Sequence, residues 1–271
     1  MFRKIMMTAA CGLLGTTAAH ADYRFEVGAG YGTGEIETGI GDADQENFNL
    51  FGTAYLDKVD DDKGPLGEAA FLDMASFFTL AYNNTDVDDN LIGGESDQYF
   101  GGGRFVTGGG HWIIQAAVSH LDPDNGSEAD SYSVGGGKYL TDNTTLVVSY
   151  TRTDVDRGGD SDGVTAIIEH LFPLAGDSAI KVEGSYGYID PDGGDDVDSY
   201  GLEGIWYLNR NIGIGASYTL IDANNERDDI GVFGQWFITD EIAITAGYAY
   251  SDFDDSDLES DAYTIEGIFR F

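Results

Sequence analysis

The sequence has little cysteine, proline or positive charge, and it lacks long apolar runs. Its one cysteine, Cys11, lies near the start, so the rest of the chain can form neither a disulfide framework nor a cysteine-based metal site. Lys and Arg number 13 against 49 Asp and Glu, and the resulting net charge of −36 argues against a nucleic-acid-binding surface. No run approaches the ~18 apolar residues of a membrane-spanning helix. A helical membrane protein is therefore excluded.

Residues 1–21 are predicted to be a cleavable signal peptide. Arg3-Lys4 forms its positive start, a weakly apolar stretch follows, and Ala19-His20-Ala21 supplies a small-x-small cleavage site. Lipid attachment at Cys11 is the alternative, but the residues before it fit such a site poorly. Residues 22–271 would then form one exported domain.

Period-two alternation of apolar with small or polar residues is the dominant pattern in this domain. Segments such as 212–220 and 242–250 place Ile, Ala, Tyr and Leu on one face and mainly Gly, Ser and Thr on the other. The stretches run for about 10 to 13 residues, which matches the ~9–11 of a tilted transmembrane strand and exceeds the five or six of a globular strand. We predict an all-β fold, a transmembrane antiparallel up-and-down β-barrel of about 14 strands, with 12 to 16 possible.

The predicted strands alternate between short turns and longer acidic loops, as expected for periplasmic and external connections. The strands are expected at 22–33, 46–57, 69–82, 98–107, 110–121, 130–141, 143–153, 163–173, 178–189, 198–208, 211–221, 229–239, 241–251 and 260–271. The loops are expected at 34–46, 83–97, 122–130, 154–162, 190–197, 222–228 and 252–259. Loop 83–97, which contains Leu91 and Ile92, is the candidate gate.

The aromatic residues indicate which strand face meets lipid, because membrane barrels carry aromatic bands at both interfaces. Trp112, Trp206 and Trp236 lie towards one end of the strands, and Tyr31, Tyr150, Tyr186, Tyr218 and Tyr248 towards the other. Charged residues occur on the opposite face of the strands. This face should line the lumen, because an Arg or Lys facing lipid at mid-bilayer costs roughly 2–4 kcal/mol. The predicted pore-lining residues are Arg24, Glu26, Asp73, Lys181, Glu183, Glu203, Glu266 and Arg270. Aromatic side chains expected to narrow the pore are Phe51, Tyr55, Phe77, Tyr139, Tyr207, Phe233 and Phe237.

The last predicted strand is amphipathic and ends in Phe269 and Phe271. A terminal aromatic of this kind is the expected signal to the barrel-assembly machinery. Expected partners are therefore that machinery and periplasmic chaperones during biogenesis, then outer-membrane lipid and lipopolysaccharide.

The segment Gly64-Pro65-Leu66-Gly67-Glu68-Ala69-Ala70-Phe71-Leu72 resembles the general bacterial porin family. The tandem hairpins and the final strand are also similar, so the resemblance covers nearly all of residues 22–271. It implies a porin-like barrel in the outer membrane of a Gram-negative bacterium and carries no defined substrate.

The acidic loops allow three interpretations. They can form an electronegative mouth that concentrates cations, they can serve solubility alone, or they can bind calcium or magnesium. Asp122, Asp124, Glu128 and Asp130 are the weak metal candidates, because their spacing lacks the twelve-residue calcium-loop pattern. No cofactor is otherwise expected.

Catalysis is not expected. The histidines after residue 21 are His111, His120 and His170, and Ser119 is the sequence neighbour of His120, so the two side chains should point to opposite faces of a strand. The predicted function is passive diffusion of small hydrophilic solutes with a weak preference for cations. The alternative is a non-conducting structural or adhesive barrel whose acidic loops bind divalent cations.

Overall fold

The structure, a computed structural model, describes residues 22–38, 41–88, 93–109, 111–223, 226–253 and 258–271. Fourteen antiparallel strands there form a closed barrel in which β14 pairs with β1. The strands are β1 Tyr23–Thr38, β2 Gly41–Val59, β3 Phe77–Asp88, β4 Gly94–Val106, β5 Trp112–Pro123, β6 Ala129–Thr141, β7 Thr144–Val155, β8 Ser161–Pro173, β9 Ala179–Pro191, β10 Val197–Asn209, β11 Ile212–Asp222, β12 Arg227–Phe237, β13 Ile242–Phe253 and β14 Leu258–Arg270. The predicted fold is confirmed. No helix in the described residues is long and apolar enough to span a membrane.

The strands extend further at the external end than the sequence predicts. The β1–β2 ladder continues from the pair Tyr31↔Phe48 to Thr38↔Gly41, so the expected loop 34–46 is largely strand. Beyond the bilayer both strand faces meet water, and the alternation therefore disappears although the backbone still pairs. The described part of the expected loop 83–97 is likewise mostly strand, because β3 continues to Asp88 and β4 begins at Gly94. These residues pair in the barrel wall, so the prediction that they fold inward as a gate is wrong. Leu91, Ile92 and the predicted signal peptide lie outside the described residues.

The outer surface of the barrel is apolar, as predicted. Leu80 and Leu202 are each 58% exposed at mid-strand, and the three tryptophans lie near the turns at the opposite end from the external tyrosines. Outward tyrosines near the external end bond a carboxylate on the next strand, as Tyr82 Oη does to Asp97 at 2.6 Å. Tyr150, Tyr186 and Tyr218 repeat the arrangement with Asp162, Asp198 and Asp228. This belt marks the change from apolar to charged surface.

The connection between β2 and β3 is long and folds into the barrel. Residues 60–76, here called the plug segment, contain a 3-10 turn at Leu66–Glu68 and a one-turn helix α1 at Ala69–Leu72. The predicted strand 69–82 is therefore wrong in its first half, since β3 begins at Phe77. The segment lies at the end of the barrel where β1 begins and β14 ends. This is the periplasmic end, because bacterial barrels have short connections on the periplasmic side and long ones outside.

Candidate functional site in the barrel lumen

The plug segment packs against one side of the inner barrel wall through small and aliphatic side chains. Leu66 and Ala69 are both 0% exposed. Together with Ala70 of α1 they belong to a buried apolar cluster whose other members lie on β1, β2, β12, β13 and β14, namely Tyr23, Tyr55, Val59, Phe237, Ala243 and Ile268. Burial of a leucine side chain contributes about 1.5–3 kcal/mol, so this contact holds the segment in place.

The opposite side of the plug segment packs on strands β5 to β10. Phe71 lies in a second apolar cluster with Ile113, Val147, Leu171 and Tyr207, and Tyr139 donates a hydrogen bond from its hydroxyl to the Phe71 carbonyl at 3.0 Å. The two clusters together fill the periplasmic end of the lumen. Of the aromatic side chains predicted to point inward, Tyr55, Tyr139, Tyr207 and Phe237 are buried against this segment.

Gly67 allows the plug segment to approach the wall closely. A Cβ at this position would lie 2.6 Å from Gln235 Oε1 and 2.7 Å from the Tyr207 hydroxyl oxygen. The start of the segment is held by charge: Arg210 bonds Asp61 at 2.6 Å and Asp62 at 3.1 Å.

Asp73, predicted to line the pore, belongs instead to the plug segment. It follows α1, pairs with Lys63 and accepts a hydrogen bond from the Asp60 backbone N–H at 3.1 Å. The prediction failed because residues 69–76 form no strand, so alternation says nothing about their direction. Asp73 fixes the shape of the segment at the periplasmic mouth.

Above the plug segment the wall carries a group of ionisable side chains. Lys181 Nζ lies 3.1 Å from Glu169 Oε1, 3.6 Å from Glu68 Oε1 and 4.0 Å from Glu183 Oε2. Glu68 comes from the plug segment and is 3% exposed, and it accepts a hydrogen bond from Tyr207 Oη at 2.5 Å. Burial raises the pKa of the Glu68 carboxyl to about 7, because the loss of hydration outweighs the opposing effect of Lys181.

Glu26 and Arg270 face inward, but they form a closed pair. Arg270 Nε donates to Glu26 Oε2 at 2.7 Å, with side chains 0% and 2% exposed, and the guanidinium stacks over the Tyr23 ring at 4.8 Å. The pair links the first and last strands below the lumen, so it stabilises barrel closure and offers no surface to a solute.

Arg24 does not line the lumen. The Arg24 and Phe25 N–H groups both donate to the Phe271 carbonyl, which is the two-against-one pairing of a β-bulge. The bulge turns Tyr23 inward and leaves Arg24 exposed at the rim, where its guanidinium donates to the Leu56 carbonyl at 3.2 Å. The prediction for Arg24 assumed unbroken alternation and is therefore wrong.

The lumen between this group and the external end is lined mainly by small and neutral polar side chains, together with the ion pair of Arg227 and Asp229 near the external end of β12. The four glycines at positions 28, 30, 32 and 34 of β1 face inward. Thr, Ser and Asn side chains continue the lining on other strands, such as β2, β3, β6 and β7. Glu266 faces this space and accepts a hydrogen bond from Asn49 Nδ2 at 3.0 Å. The wall is therefore hydrophilic down to the plug segment.

Comparison with known proteins agrees with this architecture. The model of the family described as "Putative general bacterial porin" matches residues 4–160 and 152–271. The chain belongs to this family. The solved structure of the outer membrane protein Omp33 from Acinetobacter baumannii is 25% identical, covers 92% of this chain and 98% of its own, and superposes with a TM-score of 0.66.

Two further solved structures share the fold alone. A bacterial polysaccharide outer membrane secretin is 14% identical over 93% of this chain and 99% of its own, with a TM-score of 0.57. A Pseudomonas aeruginosa FadL homologue is 9% identical over 92% and 91%, also with a TM-score of 0.57. No curated protein gives a significant match. The protein is thus an outer-membrane porin of a Gram-negative bacterium.

The histidines of this porin lie outside the lumen group. His120 faces outward and bonds Asp130 at 2.9 Å, whereas Ser119 is on the inner face, so the two form no catalytic pair. His170 bonds Thr144 at 2.7 Å and packs on Phe172, and His111 lies before β5 with a positive φ of 52°. The family and the similarity to Omp33 support a channel rather than an enzyme.

The metal candidates are not gathered into a site. Asp122 is the penultimate residue of β5, Asp124 and Glu128 lie in the loop that follows, and Asp130 is the second residue of β6. Within the described residues no three His, Cys, Asp or Glu side chains are close enough to hold an ion.

Sequence reasoning missed Glu68, Glu169 and Arg104. Glu169 carries a usable signal, because it alternates with outward-facing Ile168 and His170. Arg104 lies on a glycine-rich strand whose faces are hard to assign from sequence, and it stacks on Phe77 inside the barrel. Glu68 has no alternation that could reveal its direction, because it reaches the lumen from the connection between β2 and β3 and not from a strand.

Proposed function

We propose that this porin passes small hydrophilic solutes by passive diffusion, with a weak preference for cations. The observation that carries the proposal is a hydrophilic lumen with an excess of carboxylates. Glu169, Glu183, Glu203 and Glu266 face the lumen beside Lys181, and the small residues above them leave room for water.

The carboxylates act at short range. Salt screens charges over ~8 Å at physiological ionic strength, so acidic residues at the external rim influence only solutes that reach the mouth. Side chains within the lumen are closer to any solute that passes and are shielded less by bulk water. Selectivity should therefore depend on Glu183 and Glu203 more than on the acidic strand ends.

Passage also requires the plug segment to move. Its two apolar clusters join nearly opposite sides of the wall and leave the periplasmic end packed. We infer that the docked segment represents a closed channel and that diffusion occurs when it undocks. The strands need not rearrange, because their ladders are complete without it.

Planar-bilayer recording with a KCl gradient tests the selectivity. The reversal potential should indicate K⁺ permeating better than Cl⁻, and Glu183→Gln/Glu203→Gln should bring the permeability ratio towards one. Glu241→Gln, at an exposed glutamate in the β12–β13 turn, is the matched control and should keep the wild-type ratio. A reversal potential of anion-selective sign would reject cation preference.

Liposome swelling with uncharged sugars tests diffusion itself. Swelling should be faster with small sugars than with large ones, since a water-filled pore discriminates by size. A folded barrel that gives neither swelling nor current in any variant would favour a purely structural role. Contacts of the belt with lipopolysaccharide, and of Phe269 and Phe271 with the assembly machinery, remain predictions.

A further inference from the structure

Among the ionisable side chains of the plug segment, Glu68 is the one that reaches the Lys181 group on the barrel wall. Glu68 sits between two packed apolar anchors, Leu66 and Ala69, and its carboxylate is enclosed by β10 and β9. Tyr207 donates the hydrogen bond that holds it, and Gln235 of β12 closes the other side of the turn at Gly67. When the segment undocks, this carboxyl must move from a buried site to water.

The charges that face Glu68 are predominantly negative. Glu169 on β8, Glu183 on β9 and Glu203 on β10 surround the same ammonium group of Lys181. Arg104 on β4 is further away and acts on Glu183 and Tyr139. An ionised Glu68 therefore adds a fourth carboxylate around Lys181, whereas a protonated Glu68 adds no charge.

We propose that Glu68 is a proton-operated latch: the plug segment stays docked while this carboxyl is protonated and undocks more readily once it ionises. The inference rests on the proposed channel function and adds a control to it. The physical cause is the cost of burying a charge that its neighbours do not fully compensate. Acid should close the channel and neutral to alkaline pH should open it.

The sign follows from proton linkage. In the docked state burial raises the pKa of Glu68 to about 7, and in the undocked state water returns it to the ordinary value for glutamate. Docking is therefore strongest below the ordinary pKa and weakens as pH rises towards 7. Between pH 5 and pH 8 the undocked-to-docked ratio should rise roughly tenfold or more.

Single-channel recording of the full-length porin at pH 5, 6.5 and 8 tests the latch. The open probability of the wild type should rise about tenfold over this range. Glu68→Gln keeps an acceptor for Tyr207 but cannot ionise, so it should remain near the low wild-type level of pH 5 at every pH. Glu241→Gln should follow the wild-type profile. Lys181→Met removes the charge that favours ionised Glu68 in the docked segment, so the rise in open probability should be larger and should continue to higher pH.

A further variant separates failure of the latch from failure of the channel. It replaces residues 60–75 with a Gly-Asn-Gly-Ser-Gly linker, whose reach of about 17 Å spans the return from Val59 to β3. It should conduct at all three pH values. If it conducts and Glu68→Gln keeps the wild-type pH profile, or the wild type has none, the latch is refuted while the channel stands. If the excised barrel runs as a folded band on an unheated gel yet never conducts, the channel function fails as well.

Discussion

Truncation of Leu66 should open the channel without unfolding the barrel. Leu66 is fully buried between the plug segment and the strands near barrel closure, and its neighbours Tyr23, Tyr55 and Phe237 are large side chains that cannot collapse into the space it leaves. Leu→Ala at such sites costs about 2–5 kcal/mol. This free energy is lost from the docked state alone, since an undocked segment does not bury the side chain.

The expected effect on gating is large. Each 1.4 kcal/mol is tenfold in an equilibrium constant, so even about 2 kcal/mol raises the undocked-to-docked ratio about 30-fold. Open probability in planar bilayers at fixed pH and voltage measures this ratio. Single-channel conductance should not change, because the strands that line the open pore are intact.

The matched control is Leu80→Ala, on the lipid-facing side of β3. Leu80 is 58% exposed in the absence of lipid and makes no contact with the plug segment's apolar clusters. Its truncation should leave open probability within about twofold of wild type, since surface changes are usually worth less than 0.5 kcal/mol. Equal open probabilities for Leu66→Ala and the wild type, with both barrels folded, would refute the idea that apolar packing keeps the segment docked.

Two other variants test neighbouring contacts. Gly67→Ala should undock the segment, because the added methyl group would overlap Gln235 and Tyr207 at a cost of about 1–3 kcal/mol. Gly109→Ala is the control, since a Cβ there meets nothing within 4 Å. Liposome swelling should be faster than wild type for Gly67→Ala and unchanged for Gly109→Ala. Glu26→Gln should lower the free energy of unfolding by about 3–5 kcal/mol, since it leaves the Arg270 charge buried without its partner. Urea titration should show a smaller loss for Glu26→Gln/Arg270→Met, and a larger loss in that double variant would contradict the argument.

The barrel could be predicted because its rule is repeated at every strand. Alternation over residues such as 212–220 holds wherever one face meets lipid, and a strand must be long enough to cross the bilayer. The same rule correctly placed Lys181, Glu183, Glu203 and Glu266 on the inner face. Where the strands leave the bilayer the rule lapses, which explains why their external ends were predicted as loops.

The plug segment could not be predicted because no periodic rule governs it. Residues 69–72 form one helical turn, too short to show a period, and their apolar side chains resembled the start of a strand. Met74 closes this turn with a positive φ of 52°, a conformation that is usually signalled by glycine. The family resemblance pointed to this segment, but its inward direction depends on contacts with strands far away in sequence.

The proposed gating requires that residues 60–76 close a water-filled lumen. The most direct measurement is the single-channel current of the barrel with residues 60–75 excised, compared with the wild type at the same voltage. We expect the excised barrel to carry a steady current and the wild type to spend more time closed. Identical recordings from the two folded proteins would show that the segment does not obstruct the path and would contradict the claim.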